Sequence, residues 1–478
     1  MTVGAGNALP AGMSSALVVG LGISGRAAAE KLLREGVRVT ANDISREREV
    51  LDAAMALRGM GAACELGHHD LSLLEGIDLV VVSPGVPGGM KLLGEARSRG
   101  MAVWSEVELA WRFVRGPVIA ITGTNGKTTT TRMVEWICRC AGMKARAAGN
   151  IGYPFVRAVE EAGEGEILVV EVSSFQLAHT ETFRPRVSVL LNVAEDHLDW
   201  HADMGEYVAA KSRIWANQRD GDLVVCNLDD PLCVKASRSA KARVRYFSRS
   251  SGAGADVFLK EGRMLSRVEV AARGEGETEE IMRAADLPMP GKHNLENAMA
   301  AAAAAMGVGV EAKAAGEALR SIKGLSHRLE LVVEAGGVRF YDDSKATNPH
   351  AAMRALESFP GPLVVIMGGR NKGLDFGEMA EALRARARRG EVKAVYLIGE
   401  AAAEIASSLE EGGFPAEMEM AHGLEEVFGR LGSALGKGDT VLFTPACASF
   451  DQYANYKQRG KHFQELAKKY AAEVMSHG

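Results

Sequence analysis

The stretch Pro117–Thr131, PVIAITGTNGKTTTT, decides how the chain is read. Val118 to Thr122 is a short apolar, β-branched run that predicts a buried strand. Gly123-Thr124-Asn125-Gly126 predicts a tight turn. Lys127 and four threonines, including Thr128 and Thr129, then open a segment, Met133 to Cys140, that reads as a helix. Strand, glycine turn, Lys-Thr and helix together describe a phosphate-binding loop. Glycines let the backbone approach closely, amide N–H groups and the helix N-terminus face the anion, and lysine adds a full positive charge. Thr128 is placed to offer its hydroxyl to a Mg2+ ion. The full Walker pattern has a glycine five positions before Gly126, where this chain has Ile121, so GTNGKTT is a shortened form. The alternative is an ordinary strand-to-helix turn with a surface lysine. Nucleotide triphosphate binding is the stronger reading.

Upstream, Ser15 to Asp43 reads as strand, turn, helix, strand around Gly20-Leu21-Gly22-Ile23-Ser24-Gly25. This Rossmann-like βαβ unit carries Asp43 at about the spacing used for ribose recognition. A dinucleotide cofactor or another nucleotide's diphosphate would suit it. Asp78 to Val82 is a further strand, and it ends in a Ser83–Pro87 turn where ligands or plain structure are equally at home. A first domain is expected to end near Ser105, ahead of a helical Val107 to Val114.

Downstream, Gly149-Asn150-Ile151-Gly152 is a polar turn. Ile167 to Val172 is a strand carrying Glu171 near its end, where an ATPase holds its metal. Val187 to Leu191 runs into Glu195-Asp196-His197-Leu198-Asp199, whose density of Asp, Glu and His suggests a second cation site. Lys211, in a helical Tyr207 to Trp215, reads by itself as a surface lysine. Cys226 to Asp286 reads as strands and turns with a charged, Gly-rich interruption at Ala272 to Glu280. Asn294 and Asn297 precede a helix at Ala298 to Met306 and could face one ligand or cap that helix. Gly324 to Glu330 reads as a linker. Beyond it, strands at Val338–Tyr341, Leu363–Met367, Ala394–Ile398 and Thr440–Thr444 end in polar loops rich in lysines and hydroxyls, which suit a carboxylate or phosphate. The basic run Arg384 to Arg389 reads as a solvated face.

A chain of 478 residues exceeds one core and suggests three domains of α/β class. They are a Rossmann-like N-terminal domain over 1–105 with a loose tail at 1–14, a central P-loop ATPase-type domain over 106–324, and a Rossmann-like C-terminal domain over 325–478. A net charge of −5 gives no sign of nucleic-acid or membrane-surface binding. No apolar run reaches a membrane span, and no signal peptide is legible. The six cysteines contain no CxxC pair, so reduced thiols and a cytoplasmic location are expected. A monomer is the expectation, with no residue pattern that shows it.

Taken together, GTNGKTT, the Glu171 strand end, EDHLD followed by a lysine, GKHNLENAMAA, LSHRLE, DDSKATN and PACASFDQY resemble the Mur ligases in order and spacing. These are ATP-dependent amide-forming enzymes of peptidoglycan precursor synthesis. DSKATN and the SFDQY ending are similar to the member that joins D-glutamate to UDP-N-acetylmuramoyl-L-alanine. The Asp-Asn-Pro-Arg motif of the diaminopimelate- or lysine-adding member is absent. The resemblance implies that Gly123 to Thr129, with Asn294, Asn297, Arg328 and Asp343, bind ATP. It implies Thr128 and Glu171 on one Mg2+, and His197 and a CO2-carbamylated Lys211 on a second. Gly22, Ile23, Ser24, Asp43, Ser45, Arg46, Ser83 and Asn150 would face the UDP-linked substrate. Lys345, Thr347, Lys372, Ser449 and Tyr456 would hold D-glutamate, although Tyr456 stands where the family has phenylalanine. Catalysis would rest on Lys127, His197 and Lys211 and pass through an acyl phosphate. His197 or a nearby carboxylate would take the amine proton. Other readings are a folylpolyglutamate synthase-like ligase, an NAD-dependent oxidoreductase and a non-catalytic nucleotide-binding regulator.

Overall fold

The structure is a computed structural model. It describes residues 9–477 except 197–199, 251, 268–277, 323, 325 and 434, as well as the side chains of Ser433 and 475–477. His197 therefore lies outside the described residues. The chain divides into two compact units, Met1–Asp286 with Leu295–Ile322, and Leu287–Asn294 with Lys323–Gly478.

The first unit holds two sheets. β1 (Ser15–Val19), β2 (Arg38–Asp43), β3 (Ala63–Leu66), β4 (Leu79–Val82) and β5 (Ala102–Ser105) form a parallel sheet in the order 3-2-1-4-5. β1 and β4 are wholly buried, as strands covered on both faces must be, and their apolar runs lack polar alternation for that reason. The second sheet contains β6 (Val118–Thr122), β7 (Ala145–Gly149), β8 (Ile167–Glu171), β9 (Val187–Leu190), β10 (Leu223–Asn227), β11 (Arg243–Ser248), β12 (Val257–Lys260), β13 (Arg263–Arg267) and β14 (Thr278–Arg283). Among the described residues its order is 14-13-12-11-10-9-6-8-7, parallel from β7 to β12 and antiparallel through β13 and β14. β6 lies between β8 and β9, so the chain turns off it to both sides, and ligands gather in the crevice at such a point.

The second unit holds β15 (Glu330–Ala335), β16 (Val338–Asp342), β17 (Leu363–Gly368), β18 (Val392–Ile398), β19 (Glu417–Ala421) and β20 (Thr440–Phe443), in the order 15-16-20-17-18-19. Only β15 among them runs antiparallel.

Several sequence expectations need correction. The helix after the phosphate loop starts at Lys127 rather than Met133, and the later one at Lys292 rather than Ala298. Polar residues fill a first turn as readily as a cap. Glu330 belongs to β15, and Thr278 to Glu280 belong to β14, so neither the linker nor the charged interruption extends that far. A helix at Pro231–Ser237 interrupts the strands after β10; Asp230 caps it and Pro231 occupies its first turn. Part of the 1–14 tail lies outside the described residues, but Ser14 is fastened by its N–H to Asp78 at 2.8 Å. Arg386 is not solvated. It is buried, and its guanidinium donates to the carbonyls of Leu356 and Phe359, satisfying the end of the helix Pro349–Glu357.

Candidate active site

The phosphate loop is built at the carboxyl end of β6. Gly126 has φ +84°, in the left-handed region, and a Cβ there would collide with Asn297 Oδ1. Thr130 Oγ1 donates to the same Asn297 oxygen at 3.3 Å. The Thr124 N–H donates to Asn192 O at 3.0 Å, and the Asn125 N–H to Asn192 Oδ1 at 2.8 Å. The loop is thus held from the β9 side by Asn192 and from the helix side by Asn297. Thr128 and Thr129 lie in the first turn of the helix Lys127–Cys140.

Two lysines converge on one oxygen. Lys127 Nζ donates to Gly123 O at 2.9 Å, and Lys211 Nζ donates to the same carbonyl at 2.9 Å. Lys211 is buried, contrary to its reading as a surface residue, and its Nζ sits 4.3 Å from the centre of the Tyr207 ring. Burial, with the Lys127 charge beside it, holds the Lys211 amine well below the usual lysine range. Periodicity could not reveal this, because the helix Met204–Ser212 mixes buried and exposed polar positions.

Glu171 is buried at the end of β8, where Asn150 Nδ2 donates to its Oε1 at 3.3 Å. The structure therefore places two sequence candidates, one assigned to metal and one to substrate, side by side. Asn150 in turn lines a cavity of about 440 Å³ shared by the ends of β1 and β4 and the Gly149–Pro154 turn. Gly22, Ile23, Ser24, Asp43 and Ser83 also line it, but Ser45 and Arg46 do not. Asp43 accepts N–H bonds from Leu21 at 2.6 Å and Ser45 at 2.8 Å, while Arg46 donates to Leu66 O at 3.0 Å. His69 and Met90 line the cavity without having been singled out, as isolated residues distant in sequence give no motif.

In the second unit, the loops after β16, β17 and β20 are laced together. The Gly368 N–H donates to Pro445 O at 2.8 Å, Arg370 and Ala448 exchange N–H···O bonds, and the Asp343 N–H donates to Phe443 O. Buried Arg459, absent from the sequence candidates, clamps two of these loops by donating to Ser344 O, Cys447 O and Ala448 O. Lys345 Nζ donates to the Tyr456 hydroxyl at 3.0 Å and lies 4.2 Å from that ring's centre. Ser449 is buried, Thr347 half-buried and Lys372 exposed on the same loops. Asp343 accepts from the Leu329 N–H and from Thr444 Oγ1, both at 3.2 Å, yet burial raises its carboxyl to about 7. Arg328 is presented by a loop braced through His327, which bonds Asp342 at 2.7 Å. Asn294 turns its amide to Pro290 O at 2.6 Å.

Comparison with known proteins agrees along most of the chain. Residues 14–105 match the Mur ligase MurD-like N-terminal domain, 121–305 the Mur ligase middle domain, and 327–447 the Mur ligase glutamate ligase domain. The UDP-N-acetylmuramoylalanine–D-glutamate ligase of Pelotomaculum thermopropionicum is 42% identical over 94% of this chain and 96% of its own. That of Acidobacterium capsulatum is 43% identical over 94% and 95%. Among solved structures, the UDP-N-acetylmuramate-alanine ligase MurC of Thermotoga maritima shares the fold at TM-score 0.57 and 21% identity, covering 96% of this chain and 99% of its own. MurF of Acinetobacter baumannii does so at TM-score 0.59 and 18% identity, covering 96% and 93%. The chain belongs to the Mur ligase family.

Proposed function

We propose that the protein joins D-glutamate to UDP-N-acetylmuramoyl-L-alanine at the expense of ATP, in peptidoglycan precursor synthesis. The observation that carries this reading is the pair of lysines on Gly123 O just after β6, with a buried carboxylate at the end of the neighbouring strand β8. Relatives named for this reaction, at about 40% identity over nearly their whole length, support the choice of substrate. The reading assigns three domains, 1–105 to the UDP-linked substrate, 106–324 to ATP and 325–478 to the amino acid, in a cytoplasmic monomer. Among the described residues no helix is long and apolar enough to cross a membrane.

ATP binds through the Gly123–Thr129 loop, with Lys127 on the phosphates and Asn294, Asn297, Arg328 and Asp343 contacting the nucleotide. Thr128 and Glu171 are hard oxygen donors and fit a Mg2+ ion. Lys211 as an ammonium fits no cation. Its burial and the Lys127 charge favour the neutral amine, which is the form that adds CO2 to give a carbamate, and a carbamate fits a second Mg2+ with His197. Two Mg2+ ions would supply charge neutralisation on the transferring phosphoryl group. The L-alanyl carboxylate attacks the γ-phosphorus, ADP leaves, and the D-glutamate amine displaces phosphate from the acyl phosphate. Lys345, Thr347, Lys372, Ser449 and Tyr456 hold the D-glutamate carboxylates, and ion pairing with lysine suits them. Gly22, Ile23, Ser24, Asp43 and Ser83 line the UDP-sugar pocket together with Asn150, which donates to Glu171.

The test is phosphate release with ATP, Mg2+ and UDP-N-acetylmuramoyl-L-alanine, adding D-glutamate, L-glutamate, L-alanine or diaminopimelate separately. Release with D-glutamate alone is expected. Release with another amino acid moves the step within the family, and release only with a folate and L-glutamate overturns the reading.

A further inference from the structure

We propose that Trp200 and His201 form a positioning strut that fixes the substrate-pocket turn Ser83–Pro87 relative to the phosphate loop. The inference rests on the function proposed above.

At one end, the Trp200 indole Nε1 donates to Val86 O at 3.3 Å, and the indole rests on Gly88, where a Cβ would come within 2.6 Å of Cζ2. Ser83, Pro84, Gly85, Val86 and Pro87 all line the pocket, so the ring is seated against the outer side of its wall. Trp200 also packs on Phe175 with ring centres 4.7 Å apart, and on His201 at 4.5 Å. At the other end, His201 is buried, shares a 3.0 Å hydrogen bond between Nε2 and Ser174 Oγ, and lies 5.2 Å from the Tyr207 ring. Ser174 and Phe175 open the short helix that follows Glu171. Tyr207 closes the path, because its hydroxyl bonds Thr124 Oγ1 at 3.2 Å and its ring faces Lys211 Nζ. Side-chain contacts therefore run unbroken from the substrate turn to the loop that carries Lys127.

Ligation needs the acceptor carboxylate within about 3 Å of the γ-phosphorus, and misplacement by about 1 Å costs on the order of 100-fold in rate. The two partners bind to different sheets, so something must set the separation. The packed rings of Trp200, Phe175, His201 and Tyr207, with hydrogen bonds to Val86, Ser174 and Thr124, are stiff enough for that task. Neither Trp200 nor His201 touches the pocket's interior, so both are positioning residues.

The experiment compares Trp200→Ala, Trp200→Phe and Gly88→Ala with the wild-type enzyme. Trp200→Ala is expected to raise KM for UDP-N-acetylmuramoyl-L-alanine about 10-fold and lower kcat about 10-fold, with KM for ATP within about 2-fold. Gly88→Ala, which unseats the indole from the other side, reproduces this, and Trp200→Phe, which keeps the ring stack, recovers most of the kcat. An unchanged KM for the UDP substrate overturns the strut. So does an equal rise in both KM values alongside a lowered melting temperature, the pattern of a merely structural residue. Amide hydrogen exchange of Ser83–Gly89 is read in the ligand-free protein. Faster exchange in Trp200→Ala is expected, and unchanged exchange overturns the strut whatever the substrate. A wild-type enzyme that releases no phosphate counts against the proposed function alone.

Discussion

Gly20–Gly25, GLGISG, and Gly123–Thr128, GTNGKT, are the same local device used twice. Each follows a wholly buried parallel strand and each opens a helix of at least 12 residues. The side chains around them differ. In the first, the Leu21 N–H is taken by Asp43, Ser83 Oγ donates to Gly20 O, and the mouth is flanked by Ile23 and Ile44, 68% and 63% exposed. In the second, two lysine amines point at Gly123 O and asparagines hold both sides of the turn. A helix N-terminus alone offers partial charge and shape, which suits a nucleotide diphosphate with an apolar face. Full charge from lysine suits a phosphoryl group in transfer. Backbone geometry makes a phosphate site possible, and neighbouring side chains decide which one it becomes.

The comparison breaks most visibly at Lys127. Lys127→Ala should lower turnover by about 1000-fold or more, with the melting temperature within a few degrees of wild type, because a charge is lost and no packing. Retained phosphate release in that variant would place the chemistry elsewhere. A smaller effect separates the two glycine turns. A Cβ at Gly25 collides with the carbonyl of Gly20, which is backbone, whereas one at Gly126 meets the end of the Asn297 side chain. Gly25→Ala should therefore destabilise by roughly 3 kcal/mol, and Gly126→Ala by roughly 1–2 kcal/mol with weaker ATP binding. Calorimetric melting reads the difference, and equal shifts would remove the distinction.

An effect of similar size depends on pH and falls at the end of the first sheet. Glu106 directly follows β5, accepts the Val156 N–H at 2.6 Å, and so ties the first sheet to the helix after the Asn150 turn. Burial raises its carboxyl from 4.5 to about 7. The folded value exceeds the unfolded one, so the contribution is complete below pH 4.5 and is lost as pH rises to 7, by about 3 kcal/mol at most. Glu106→Gln should flatten the decline of melting temperature across that window. An unaltered profile would show that another group titrates there.

The phosphate loop and the central strands were legible because buried parallel strands are continuous apolar runs and glycine-lysine turns are short-range signals. β15 and β19 were not, since ELVVEA and EMEMA lie at the two edges of their sheet, where half-exposed charge breaks the pattern. Arg386 reads as a solvated basic residue, and Arg459 gives no signal, because sequence shows their charge and not the carbonyls that surround them. Lys211 failed for the same reason in reverse. Its burial depends on Tyr207 and Gly123, and the second of these lies 88 residues away. For the DSKATN and PACASFDQY loops, composition pointed only to a carboxylate or phosphate, and D-glutamate came in through the family resemblance alone.

The Asn297 brace on the phosphate loop also has a meaning in biosynthetic time. Asn297 lies 167 residues after Thr130, its hydrogen-bond partner. At a synthesis rate of roughly 5–20 residues per second, the loop waits roughly 8–33 s on the ribosome before its brace has been made. During that interval the nascent middle segment has its glycine turn and lysine without the asparagine that braces the turn from the helix side. The strands β6, β8 and β9 and the Asn192 bonds to the turn are made before that, so the early folding of the segment can rest on them.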